Sequence, residues 1–278
     1  MLASLAWTPL PLALGLSRFY FRLLDTAVPK LRKAGIRNLE LAGFKERDKV
    51  VDGVFQSLAR LMVLFARLPR ISKKNVGRYI RYEGLRNFQE AKRRGKGVLI
   101  ATGHFGNWEL SAHAHALLTE PMHVVVRPLD NPRIDSLVER YRASAANRVI
   151  TKKDAARGIL RALKDNEAVG ILIDQNSLPD EGIFVDFFGT LACANSVFSK
   201  LAAHSGAAVI LGYAVWSDEE QRYILHFSPP LDLSGNAATD TQHIQSALED
   251  AIRQYPDQWL WLHRRWKTRP QGEPSLYD

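Results

Sequence analysis

Five short apolar runs set the architecture: 97–102 (GVLIAT), 123–127 (HVVVR), 148–150 (RVI), 168–174 (AVGILID) and 207–216. An uninterrupted apolar run of this length is the pattern of a strand covered on both faces. Stretches with helical periodicity separate the runs, at 108–118, 134–146, 155–164 and 196–204. Strand followed by helix followed by strand requires crossover connections, and these build a largely parallel sheet. Helices are also expected over 46–68, closed by Pro69, over 85–94, ended by Gly95, and over 239–254, before Pro256. Residues 80–84 read as a short strand and turn, and 223–227 as a late strand at a sheet edge. The expected fold is α/β, a mostly parallel central sheet flanked by helices, with residues 45–278 as the catalytic domain.

Residues 1–44 are expected to form a helical, membrane-associating extension. Leu2 to Leu16 carry no charge, and Arg18, Arg22, Lys30, Arg32 and Lys33 follow. The run is short for a membrane span and contains Pro9 and Pro11. No basic residue precedes it, as a secretory signal would require. A short or tilted span, or an interfacial helix whose cations meet lipid headgroups, fits it; the alternative is a buried first helix. The formal charge of +9 suits an anionic partner. The single cysteine, Cys193, excludes a disulfide framework and a Cys-based zinc site within the chain, and weakly favours the reducing cytoplasmic side.

The run at 97–102 leads directly into Gly103-His104-Phe105-Gly106-Asn107-Trp108-Glu109. Working groups in open α/β sheets gather where strands end and helices begin. His104 falls just past the strand, and Glu109 in the first turn of the next helix. A carboxylate near an imidazole fixes its tautomer and stabilises the imidazolium. With no serine or cysteine in the motif, the nucleophile is expected to be a substrate hydroxyl deprotonated by His104. The alternatives are a structural histidine with a helix-capping Glu109, and a metal site using His104, Glu109, His113 and His115. No metal is expected, because His113 and His115, two apart, diverge on a helix.

The block 102–109 resembles the His-x4-Asp/Glu motif of the glycerolipid acyltransferase superfamily, and more narrowly its branch of late acyltransferases of lipid A biosynthesis. Four further blocks are similar to that branch: Tyr82-Glu83-Gly84-Leu85 with Gly95-Lys96-Gly97; 127–132 (RPLDNP); Asp174-Gln175-Asn176 with 185–189 (VDFFG); and 259–270 (WLWLHRRWKTRP). The resemblance spans roughly residues 45 to 270.

The resemblance implies a glycerolipid-acyltransferase-like fold and transfer of a fatty acyl chain from acyl carrier protein or acyl-CoA, as co-substrate without further cofactor, to a lipid hydroxyl. The acceptor is expected to be a lipid A precursor or related lipid at the cytoplasmic face of the bacterial inner membrane. It gives His104 the base role and Glu109 the orienting role. Asn107, or backbone N–H groups of the Gly106 turn, are candidates for holding the oxyanion. Arg127 is a clamp for a phosphate or phosphopantetheine. Of Arg140 and Arg142, two apart on a helix, one is expected to face the site. Asp174 ends a strand, where it binds a substrate hydroxyl or positions Arg127, and Gln175 joins the substrate-contacting set. Phe188 and Gly189 shape an acyl pocket or simply pack. The tryptophans and cations of 259–269 suit a membrane interface or core packing, and nucleic acid is not an expected partner. The competing functions are a thioesterase or lipase, with water as the acceptor, and a non-catalytic peripheral membrane protein on the same scaffold.

Overall fold

The computed structural model describes residues 2–127, 130–151 and 155–277. Among these, seven strands form one sheet in the order β1 (Ile80–Glu83), β9 (Arg222–Phe227), β8 (Ala208–Ser217), β2 (Val98–Thr102), β5 (Ala168–Leu172), β3 (His123–Val126), β4 (Arg148–Thr151). The strands β2 (Val98–Thr102), β3 (His123–Val126), β4 (Arg148–Thr151), β5 (Ala168–Leu172) and β8 (Ala208–Ser217) are mutually parallel. They are the five runs expected from sequence. Helices α6 (Trp108–Leu118), α7 (Pro132–Arg142), α8 (Ala155–Lys164) and α9 (Val197–Ser205) lie between them in the chain. Alternation along β2 sends Leu99 and Ala101 to one core layer and Val98 and Ile100 to the other. The first layer includes Ile244, Leu248 and Ile252 of α10 (Ala237–Gln254); the second includes Leu110 and Ala114 of α6 and Phe88 of α5 (Leu85–Arg93).

One strand expectation needs correction, and one pair of strands was not expected. Strand β9 (Arg222–Phe227) is antiparallel to β8 and is not an edge, because β1 (Ile80–Glu83) pairs with its free side. A hairpin of β6 (Gly182–Phe187) and β7 (Thr190–Asn195) forms a separate two-stranded sheet. Its turn is Phe188-Gly189, with φ of 57° and 75°. Positive φ at both central residues defines a tight hairpin turn that normally favours Asn or Gly at the first position; Phe188 hides that signal.

The N-terminal segment folds as α1 (Leu2–Trp7), α2 (Leu10–Ala27) and α3 (Pro29–Leu41) against α4 (Arg47–Arg67). Pro9 and Pro29 sit at the starts of α2 and α3, where a missing N–H is harmless, and they divide the segment into short helices. Leu5, Ala6 and Ala13 pack on Val63 and Ala66, and the Ser17 hydroxyl donates to the Ala59 carbonyl. Among the described residues, no helix is long and apolar enough to cross a membrane. The opposite face leaves Leu12, Phe19 and Leu23 more than half exposed.

Candidate active site

The turn from β2 to α6 is fixed from both sides. The Gly106 N–H donates to the Gln258 carbonyl and the Asn107 N–H to the Ala214 carbonyl, both at 2.8 Å, while the His104 carbonyl accepts from the Leu260 N–H at 2.9 Å. Gly106 has φ +60°, and a Cβ there would lie 1.8 Å from the Ala214 oxygen, so only glycine fits. The turn is therefore wedged between β8 and the segment 258–260, and His104 has little freedom.

Its partner is Asp174, just beyond β5. Asp174 Oδ1 lies 2.9 Å from His104 Nδ1, and Oδ2 accepts from the His104 backbone N–H at 2.7 Å and from the Trp259 indole N–H at 2.9 Å. Gly103 lets the carboxylate approach, since a Cβ there would stand 3.1 Å from it. The sequence expectation is corrected here: the carboxylate hydrogen-bonded to the imidazole is Asp174, and it is not turned toward Arg127. Trp108 meets the ring edge-on at 5.1 Å, and His104 Nε2 faces the Gln175 amide at 3.4 Å.

Burial acts against charge on both groups, yet each holds the other ionised. Burial alone would lower the His104 pKa, but the charge of Asp174 and its hydrogen bond to the ring raise it above the ordinary histidine value. Burial alone would raise the Asp174 pKa, but His104 and the two additional N–H donors bring it below the ordinary carboxylate value. The result is a basic imidazole whose Nδ1 is engaged by Asp174 and whose Nε2 faces the Gln175 amide.

Glu109 is held elsewhere. Arg142, at the end of α7, grips it with two N–H donors at 2.9 and 2.6 Å. A planar fork on a carboxylate fixes orientation as well as charge. Five residues along the chain from His104, Glu109 lies beyond hydrogen-bonding reach but adds a smaller favourable charge effect on the imidazole. Arg140 is exposed and Arg142 is partly buried, so one of the pair faces the site, as the helical geometry requires.

Glu109, Arg142 and Trp108 stand at one part of a slot between α6 and the sheet. Its walls include Ile100, Val124, Val126 and Leu172 from the strands, and Ala112 from α6. Gly170 and Gly212 also line it, and neither puts a side chain into the space. A Cβ on Gly212 would stand 2.6 Å from Ile100 and 2.9 Å from Phe227.

Several expected site residues have other roles. Asn107 is fully buried and caps α6, its side-chain oxygen accepting the Leu110 N–H. With the backbone N–H groups of His104, Gly106 and Asn107 already bonded, the turn offers none of these three to an oxyanion. Arg127 is exposed at the end of β3; Pro128 and Leu129 of its block lie outside the described residues. Phe188 is buried against Phe44, Trp259 and Trp261, and Gly189 makes the hairpin turn, so neither lines the slot. Trp259, Trp261 and Trp266 are core residues, at most 2% exposed, not an interfacial belt. Missing from the sequence expectation were the Trp259 indole on Asp174 and the two slot glycines. A glycine inside an apolar strand run was the available signal for the latter.

The model of the bacterial lipid A biosynthesis acyltransferase family matches residues 1–268, and the chain belongs to that family. Among its relatives, the lipid A biosynthesis palmitoleoyltransferase of Escherichia coli (strain K12) is 31% identical over 250 residues, covering 87% of this chain and 80% of the relative. The lauroyltransferase of the same organism is 31% identical over 251 residues, with the same coverage. Its myristoyltransferase is 23% identical over 286 residues, covering 99% of this chain and 87% of the relative.

Proposed function

We propose that the protein moves a fatty acyl chain from a thioester, on acyl carrier protein or CoA, to a hydroxyl of a lipid A precursor, with His104 as general base. The observation that carries this reading is the His104–Asp174 pair, with Nδ1 engaged at 2.9 Å and Nε2 facing only the Gln175 amide at 3.4 Å, near a slot lined by Glu109 and Arg142. The acceptor O–H gives its proton to Nε2 as the oxygen attacks the thioester carbonyl. The tetrahedral intermediate then expels the thiolate, which takes the proton back from the imidazolium. The Gln175 amide, next to Nε2, and the Arg142 guanidinium are the donors for the oxyanion, and Glu109 holds Arg142 in place. The slot receives the acyl chain.

Direct transfer fits the motif at 102–109, which holds no serine or cysteine to form an acyl-enzyme. Cys193 is buried, with its thiol near the Leu178 carbonyl. The exposed apolar stripe of α2, beside Arg18 and Arg22, supports peripheral docking on an anionic membrane at the cytoplasmic face of the inner membrane. The net charge of +9 would steer an acidic carrier protein towards it.

The test measures thiol release from acyl donor with and without a lipid A precursor, together with mass spectrometry of the lipid product. Transfer predicts an acceptor-dependent rate and an acylated lipid, both lost in His104→Ala. Equal thiol release without acceptor would instead indicate a hydrolase, and no release from any donor a non-catalytic protein.

A further inference from the structure

Helix α6 carries Trp108, Ala112 and His115 on the face that lines the slot. Trp108 touches His104, and His115 lies two helical turns further on, about 10 Å along the axis. It is therefore deep in the slot relative to the reacting centre, beside Phe227, which also lines it. The imidazole is 1% exposed and surrounded edge-on by Phe88, Phe227 and Tyr82. Its Nδ1 lies 2.8 Å from the Tyr82 hydroxyl, which is itself 3.1 Å from the Thr119 hydroxyl. Its Nε2 is buried with no hydrogen-bond partner. An unpaired buried ring nitrogen is costly unless a ligand satisfies it.

We propose that His115 Nε2 is a polar subsite inside the slot that selects a fatty acyl chain bearing a hydroxyl on its distal half. The inference rests on the slot being the acyl site, as proposed above. The tautomer does not alter the chemistry required. If the Tyr82 hydroxyl donates to Nδ1, Nε2 carries the proton and needs an acceptor. If Nδ1 donates to Tyr82, and Tyr82 to Thr119, Nε2 carries a lone pair and needs a donor. A hydroxyl satisfies both cases, whereas a carbonyl or ether oxygen satisfies only the first. A purely hydrocarbon chain satisfies neither. Burial keeps the ring neutral, its pKa lowered to about 4, so the subsite reads a neutral group and not an anion. The Tyr82–Thr119 anchor fixes the ring, so the preferred position on the chain is a single one.

The experiment uses the full chain with saturated acyl-CoA donors of one length, unsubstituted or hydroxylated at successive carbons of the distal half. Two quantities are read: kcat/KM for transfer to a lipid A precursor, and affinity by displacement of a fluorescent fatty-acid probe. The expected profile has one preferred hydroxyl position, about tenfold better than the unsubstituted chain, while its neighbours are worse. His115→Phe removes the peak, so that no hydroxyl position is preferred over its neighbours in either binding or transfer. A flat or uniformly falling binding profile in the wild type, the result if a trapped water satisfies Nε2, overturns the subsite. So does a peak that survives His115→Phe. The wild-type profile decides the matter if that variant does not fold. Position-selective binding without any transfer would overturn the acyltransfer reading while leaving the subsite standing.

Discussion

Asp174 takes hold of His104 twice, at Nδ1 (2.9 Å) and at the backbone N–H (2.7 Å), from 70 residues further along the chain. A third donor, the Trp259 indole, saturates the second carboxylate oxygen. With its ring and backbone both tied to one buried anion, His104 keeps a single orientation and tautomer.

Asp174→Asn tests this arrangement through pH dependence. A general base works when neutral, and its pKa here is raised, so the acid limb of kcat/KM for the wild type is expected above the ordinary histidine value of about 6.5. In Asp174→Asn the limb moves to or below that value, and kcat falls about a hundredfold or more. Stability provides a second check. A raised histidine pKa contributes fully below about 6.5 and fades as pH rises through the raised value. A lowered carboxylate pKa contributes above about 3.9 and is lost as pH falls through the lowered value. The Tm gap between wild type and variant is therefore largest between about pH 4 and 6.5. An acid limb unmoved by the substitution would show that Asp174 does not govern the base.

Glu109 and Arg142 form a separate pair, partly buried and bidentate. Removing one member strands the other, so Glu109→Gln is expected to cost on the order of 3 kcal/mol of stability as well as most of the turnover. Adding Arg142→Met removes the stranded cation and recovers much of the stability. Activity stays low, because the oxyanion has lost its cationic donor. Thermal melts and kcat on the two single variants and the double variant check this. Recovery of activity together with stability would reduce the pair to a structural role.

Where the sequence signal was local and periodic, it matched the structure. The five buried runs became the five parallel strands, and the 102–109 motif gave His104 its place at the end of β2. What escaped depended on long-range approach. Five-residue spacing made Glu109 look like the histidine's partner, yet in the folded chain the approach permitted by Gly103 brings Asp174 closer. Asn107 looked like an oxyanion donor by type, but capping α6 consumed its oxygen and buried it. The tryptophans of 259–266 suited either a membrane interface or the core by composition. Only the packing of that segment against Phe187, Phe188 and Phe44 places them in the core. The β6–β7 hairpin was hidden because Phe188 occupies a turn position where glycine or asparagine is the usual marker.

Gly106 and Gly95 form a matched pair of stability tests. Both have positive φ, but a Cβ at Gly106 would meet the Ala214 oxygen at 1.8 Å, whereas Gly95 has nothing within 4 Å. Gly95→Ala carries only the backbone penalty, about 1 kcal/mol. Gly106→Ala adds a clash with the backbone of β8, for a loss of about 3 kcal/mol or more, together with displacement of His104. Denaturant melts measure both. Similar losses in the two variants would mean that the turn can relax away from β8 and that the site is less tightly wedged than its hydrogen bonds imply.

The α2 stripe gives the test of membrane docking. Leu12, Phe19 and Leu23 are spaced by seven and four residues, so they share one helical face, and all are more than half exposed. The opposite face of α2 is packed on α4, so changes to the stripe leave the core untouched. Phe19→Ser and Leu23→Ser are each expected to weaken binding to anionic vesicles about tenfold, the loss from no longer burying one large apolar side chain. Neither should shift Tm or the rate of transfer to a detergent-dispersed acceptor. Arg18→Gln and Arg22→Gln are expected to weaken binding to anionic vesicles but not to neutral ones, with a loss that shrinks as salt is added. Vesicle sedimentation separates these contributions, and unchanged binding in all four variants would move the docking surface away from α2.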